Sequence, residues 1–221
     1  MYLPKHFDEQ RPEWLHPLMA AHPLALVITP GADGLTTADT LPLMLATGDN
    51  SPDSSHGTLH GHVARANPLW RLADGQEVLV VFQGPQGYVS PNWYPSKAEH
   101  GQVVPTWNYA MVQARGRLRA LDDAAAARRL VQALTETHEA RQPRPWQVDD
   151  APADYVAATL RAIVVIEIPI TQLQGKFKLS QNRSAADQAG VLQGLSATGR
   201  ADDGALAASM VALAAAKPPT R

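Results

Sequence analysis

The chain of 221 residues contains no cysteine. Disulfide crosslinks, thiolate catalysis and cysteine-ligated metal or iron–sulfur centres are therefore excluded. An excess of one charge is also missing, since 19 Lys and Arg face 21 Asp and Glu for a formal net charge of −2. Dedicated nucleic-acid binders carry a basic excess or a basic face, so any such footprint here must be local. No apolar run approaches the ~20 residues that span a bilayer. The opening MYLPKHFDEQ lacks the apolar core of a secretion signal. Together these features point to a cytoplasmic protein with no membrane partner. There is no GxGxxG after a strand, no GxxxxGK[ST] and no GxSxG, which leaves a Rossmann site, a P-loop and a hydrolase elbow without support. No helix-turn-helix pattern is recognisable. What remains is an ordinary globular composition, 45% hydrophobic and 18% charged, long enough for one core with a small helical appendage.

Apolar runs at 23–30, 57–63, 77–82 and 162–168 read as strands, with weaker ones over 34–45 and 87–90. Residues 106–121 alternate strictly. Asn108, Ala110, Val112, Ala114 and Leu118 share one face. Tyr109, Met111, Gln113, Arg115, Arg117 and Arg119 share the other, with Gly116 as a bend. Asp122 reads as the N-cap of a helix ended by Pro143 and Pro145. Asp150 and Pro152 open a second helix. Ser184 and Asp187 have capping-box spacing before a third, and Asp202 or Asp203 starts a last one running to Pro218. Strands not interleaved one-for-one with helices argue against a doubly wound parallel sheet and for a small antiparallel barrel with helical additions. The stretch 50–56 is the loop with the strongest turn composition.

Three clusters could carry chemistry. His60 and His62 lie on one strand face about 7 Å apart, with Arg65 and Asn67 following. They could grip a phosphate or begin a metal site with His56 or His100. Equally, a histidine could be a satisfied wall residue and Arg65 a surface charge. Between Tyr88 and Tyr109 fall two of five tryptophans and three of five tyrosines. This aromatic stretch could wall a planar heterocycle, with Ser90, Thr106 and Asn108 bonding its polar edge, or it could form an interface or a core corner. Residues 175–183 place Lys176, Lys178, Ser180 and Asn182 on one side of an extended chain. Three cations before a helix N-terminus suit an anion, or form a basic surface turn.

The blocks MYLPKHF at 1–7, GHVARANPLW at 61–70, YVSPNWY and VVPTWNY within 88–109, and KFKLSQNR at 176–183 resemble the PaiB family of FMN-binding negative transcriptional regulators. The resemblance covers residues 1 to about 200. It implies an α+β fold built on a six-stranded antiparallel split β-barrel with C-terminal helices, the barrel domain over 1–183 and a helical extension over 184–221. It further implies FMN as cofactor, a homodimer, and a flavin pocket between subunits. Carried over residue by residue, the family's motif positions are His62, Arg65, Asn67, Ser90, Trp93, Thr106, Trp107, Asn108, Lys176, Gln181 and Arg183. The Asp/Ser/Pro-rich stretch 50–55 is an insertion-like departure from the family pattern.

No acid–base pair or nucleophile constellation is legible, and no metal site is expected. This favours a flavin-occupied binding module that regulates. FMN supplies its own redox chemistry, so a flavin-dependent oxidoreductase stands as the alternative, as does a haem-binding relative using His60 or His62. Direct DNA binding, through a strip of Arg115, Arg117 and Arg119, should be weak and salt-dependent.

Overall fold

A computed structural model describes residues 1–31, 35–48 and 54–216. Most of the insertion-like stretch 50–55, and the expected helix end at Pro218, lie outside the described residues. Nine strands occur among those described: β1 (Asp8–Glu9), β2 (Leu24–Pro30), β3 (Thr36–Pro42), β4 (Met44–Ala46), β5 (Thr58–Ala64), β6 (Glu77–Val89), β7 (Thr106–Arg117), β8 (Arg119–Leu121) and β9 (Ile163–Lys178). Six have seven residues or more, and the other three have two or three. The sheet order is β3-β2-β6-β7-β9-β5-β4, with β1 and β8 also pairing β9. Every strand pair with a resolved register runs antiparallel, for example Leu26 opposite Val81 and Gly61 opposite Ile166.

Seven α-helices complete the described chain: α1 (Pro12–Ala21), α2 (Leu69–Leu72), α3 (Ser96–His100), α4 (Ala124–Glu139), α5 (Ala153–Arg161), α6 (Ala185–Ala197) and α7 (Ala201–Ala215). The long strands run through two compact units. One comprises residues 1–18, 83–112 and 174–221, and the other residues 19–82 and 113–173.

In the second unit, α4 and α5 carry Ala127, Leu130, Val156 and Leu160 into a cluster with Val148 and Val165. Each large aliphatic residue buried there contributes roughly 1.5–3 kcal/mol. The unit also shows why β7 needs glycine at Gly116. A Cβ there would stand 2.1 Å from the Pro169 carbonyl oxygen. Close approach of β9, not a bend, fixes this residue, and the strand breaks two positions later at Leu118. In the first unit, Leu15 of α1 is buried and Trp14 packs edge-on against Phe177 at 6.4 Å.

Several boundaries differ from the sequence reading. The run 77–82 and residues 87–89 of the run 87–90 form one strand, β6, and Ser90 lies just past its end. Asp123, not Asp122, caps α4, accepting from the amides of Ala125 and Ala126. Asp122 is taken by Arg65 instead, through bonds of 2.7 and 2.6 Å. Arg200 precedes α7, so Asp202 and Asp203 sit in its first turn, where carboxylates suit the helix dipole. Ser184 caps α6 by accepting from the Asp187 amide, but the Asp187 carboxylate turns to Ser96 and leaves the box half made.

Candidate functional site

The first unit joins two of the three clusters. Strand β7 opens at Thr106 and β9 ends at Lys178, and these two residues meet. The Lys178 ammonium donates to the Thr106 hydroxyl and to the Trp107 carbonyl. Next along β7, Asn108 is buried and its amide donates to the Ser180 hydroxyl at 2.8 Å. Ser180 has φ 64°, a left-handed conformation unusual for serine, just where β9 gives way to the α6 connection. Gln181 holds this corner from the other side, accepting from the Leu179 amide at 2.6 Å and donating to the Phe177 carbonyl. The strand alternation expected over 175–183 therefore holds through Leu179 and fails at Ser180, because the backbone turns there.

Charge gathers on this corner. Burial pushes the Lys178 pKa down, and the neighbouring charges of Lys176 and Arg183 add to the effect. Lys176 donates to the Tyr2 carbonyl at 3.0 Å and lies over the rings of Tyr2 and Tyr109 at 5.6 and 5.5 Å. The Arg183 guanidinium lies 5.0 Å from the centre of the Tyr94 ring. Among the described residues, no carboxylate comes within ion-pair distance of Lys176, Lys178 or Arg183. Lys176 and Lys178 thus sit with aromatic faces and neutral acceptors in place of counter-ions, while Arg183 also feels the Asp187 carboxylate beyond ion-pair distance. Cation–π contacts of this kind are worth about 0.5–1 kcal/mol at exposed positions, far less than an anion could supply. The Trp107 ring is 54% exposed and meets Tyr88 edge-on at 6.2 Å. An anion with a planar apolar body fits a corner that offers both features.

Ser90 and Trp93 take up local duties in the same unit. The Ser90 hydroxyl accepts from the Asn92 amide and caps the short 3₁₀ turn Pro91–Trp93. Trp93 packs flat on α6, where a Cβ at Gly194 would lie 2.2 Å from its ring. Beside it, Asp187 takes the Ser96 amide and hydroxyl at 3.2 and 2.9 Å. Burial works to raise the Asp187 carboxyl, but the Ser96 and Ser184 donors and the Arg183 charge hold it below the usual carboxylate range.

His62, Arg65 and Asn67 belong to the second unit. Arg65 forks onto Asp122 and also donates to the carbonyls of Arg161 and Ile163 at 2.7 and 3.2 Å, fastening the end of β5. Asn67 donates to Asp39 at 2.9 Å and accepts from the Leu69 amide at 2.8 Å, opening α2. The Nδ1 of His62 is buried without a hydrogen-bond partner, and burial lowers the imidazole pKa. His60 stands 3.4 Å from Glu167. The arginines on the outer row of β7 have neighbours too: Arg115 reaches Glu77 at 3.6 Å and Arg117 donates to the Gly75 carbonyl. Among the described residues, no three His, Asp or Glu side chains group closely enough to hold a metal ion. No helix among them is long and apolar enough to cross a membrane.

Lys178 is the residue the family motifs did not supply. The sequence reading reaches it instead through its i, i+2 relation to Lys176 on one side of the extended stretch 175–183.

Comparison with known proteins gives a consistent picture. A family model described as "Putative FMN-binding domain" matches residues 1–172. Among curated proteins, the chain is 33% identical over 196 residues to the Protease synthase and sporulation protein PAI 2 of Bacillus subtilis, covering 88% of this chain and 89% of that one. It is 35% identical over 225 residues to an uncharacterised protein of Emericella nidulans, covering 88% and 90%. Among solved structures, the FAD and heme binding protein from Mycobacterium smegmatis superposes with a TM-score of 0.58 at 17% identity, covering 87% of this chain and 80% of that one.

Proposed function

The chain belongs to the FMN-binding family whose model it matches, and on that premise we propose that it is a PaiB-type negative transcriptional regulator whose flavin is held at the Lys178 corner. Its fold is the α+β antiparallel split barrel of flavin-binding proteins, and FMN is its cofactor. The regulatory role is what the PaiB resemblance implies, and the name of the Bacillus relative, Protease synthase and sporulation protein PAI 2, links that relative to sporulation.

One observation carries the assignment of the site. Among the described residues Lys176 and Lys178 share a corner with no carboxylate within ion-pair distance, beside the exposed Trp107 ring, and Arg183, whose charge is shared with Asp187, stands close enough to act on Lys178. A phosphate dianion would supply the missing counter-charge, and charge-assisted bonds are about twice as strong as neutral ones. In this reading Lys178 and Lys176 hold the phosphate. Arg183 adds field from the α6 side. Trp107, with Tyr88 edge-on, covers an aromatic face. Asn108, Ser180 and Gln181 act one step back: they fix the turn after β9, and so the direction in which Lys178 points. Ser90 and Trp93 brace the adjoining loop. Bound FMN would supply one- and two-electron redox chemistry, and these residues would position it and exclude water from one face.

The same reading makes the protein a cytoplasmic homodimer. The exposed rings of Trp107, Tyr88 and Tyr2 are surface that a second copy would cover. DNA contact would be weak, because Arg115 and Arg117 are already engaged by Glu77 and Gly75.

Absorbance and FMN fluorescence of the purified protein test the proposal. Flavin bands in the isolated protein, or saturable quenching of added FMN that phosphate-free riboflavin does not match, are the expected result. Colourless protein that leaves FMN fluorescence unchanged would remove the reading.

A further inference from the structure

Residues 1–3 lie against the cationic corner of the first unit, and they meet it at one of its lysines. The Lys176 ammonium donates to the Tyr2 carbonyl at 3.0 Å, and the Tyr2 and Tyr109 rings stand 5.6 and 5.5 Å from it. Tyr2 thus gives this cation both an acceptor and an aromatic face. A phosphate oxygen brought to the same side would meet the carbonyl oxygen, and two acceptors with no proton between them repel.

The chain is fixed a few residues further on. Asp8 pairs opposite Lys176 and Glu9 opposite Gly175, and Glu9 takes the Arg11 guanidinium at 2.8 and 2.6 Å. Phe7 is buried, and its amide closes the turn Lys5–Phe7 on the Pro4 carbonyl at 2.9 Å. Tyr2, by contrast, is 84% exposed. Residues 1–3 are therefore a short arm projecting from a fixed turn, with Lys176 as its polar hold on the corner. Lys178 is tied differently, because its acceptors, the Thr106 hydroxyl and the Trp107 carbonyl, belong to β7 itself. A carbonyl bond and an exposed cation–π contact are weak beside a charge-assisted bond to phosphate, so the dianion wins the exchange.

We propose that residues 1–3 are an autoinhibitory strap: Tyr2 occupies Lys176 in the ligand-free chain, and the phosphate of the incoming ligand displaces it. Loading of the corner frees the strap, which makes this segment the part of the surface that differs between empty and loaded protein. The strap acts through the phosphate site assigned above and requires that assignment to hold.

Fluorine NMR of the full-length protein carrying 3-fluorotyrosine follows the strap directly, the Tyr2 resonance being the one absent from Tyr2→Phe. In ligand-free protein, Lys176→Met should move that resonance to the position of a solvated tyrosine. Saturating FMN should move it the same way in the unaltered chain. Replacing residues 1–3 by a single Met before Pro4 should tighten FMN about threefold to tenfold in fluorescence titration, the worth of the contacts that no longer compete. In the Lys176→Met background the same shortening should change nothing, which separates the strap from a general effect of the missing residues. Tyr2→Phe keeps carbonyl and ring and should bind FMN as the unaltered chain does. A shortened chain that binds FMN no better, or a Tyr2 resonance unmoved by Lys176→Met or by bound FMN, would overturn the strap and leave the flavin site standing. FMN that binds neither chain would remove the flavin site and the strap with it.

Discussion

Lys178 and Thr106 close the first unit's corner, the ammonium at the last residue of β9 donating to the hydroxyl at the first residue of β7. That bond aims a cation that burial and two neighbouring positive charges have made unfavourable. Replacing it should affect ligand more than fold. Lys178→Met is expected to weaken FMN about tenfold to a hundredfold, the range of one charge-assisted bond to phosphate, with the thermal midpoint unchanged or raised. Fluorescence titration with FMN measures the first quantity and calorimetric melting the second. Lys178→Arg keeps the charge but not the geometry, and should recover only part of the loss.

The same lysine sets a pH dependence. Its pKa in the ligand-free fold lies below the ordinary 10.5. A bound phosphate favours the protonated ammonium and brings the pKa back up. Binding therefore takes up a proton at alkaline pH, and affinity falls as pH rises through the lowered pKa of the free protein. FMN dissociation constants measured from neutral to alkaline pH should rise, and the rise should be smaller in Lys178→Met.

Much of this fold is written locally, and the remainder depends on partners far along the chain. The period-two pattern of β7 is legible because each inner residue, from Asn108 to Ala114, meets one face and each outer residue the other. The join of 77–82 with 87–89 into β6 is not legible, since Pro85 reads as a break. In the fold β2 pairs with Leu79–Val81, and Pro85 lies past that pairing, where a missing N–H forfeits no bond to β2. Helix α1 was missed for a similar reason, with Pro17 inside it. The cap of α4 falls on Asp123 because Arg65, 57 residues from Asp122, claims the other aspartate. In the site, Lys176, Thr106 and Asn108 could be named from motif and alternation. The hold of Lys176 on Tyr2 could not, because it joins residues 174 positions apart.

Gly194 is expected to be intolerant of even one methyl group. Its ideal Cβ position is 2.2 Å from the Trp93 ring, and the equivalent position at Gly190 is 2.0 Å from the Trp93 carbonyl. Gly194→Ala gains helix propensity of about 1 kcal/mol. It must also move an indole or a helix, at a cost of about 1–3 kcal/mol for overpacking. The clash should win, giving a net loss of stability in urea unfolding. The double variant Gly194→Ala with Trp93→Ala should recover part of the loss, because the methyl then has room.

His62 gives the protein a stability profile whose sign follows from its environment. Burial lowers its pKa from the ordinary 6.5, so the folded chain resists the proton that the unfolded chain accepts. Above the unfolded pKa neither state is charged and the group costs nothing. As pH falls below about 6.5 the unfolded state binds more protons, and stability is lost. His22, whose pKa is lowered by the same cause, contributes in the same direction. Thermal midpoints should therefore drop between about pH 7 and about pH 5. His62→Gln, which keeps a polar group but cannot titrate, should shrink the drop without removing the share due to His22.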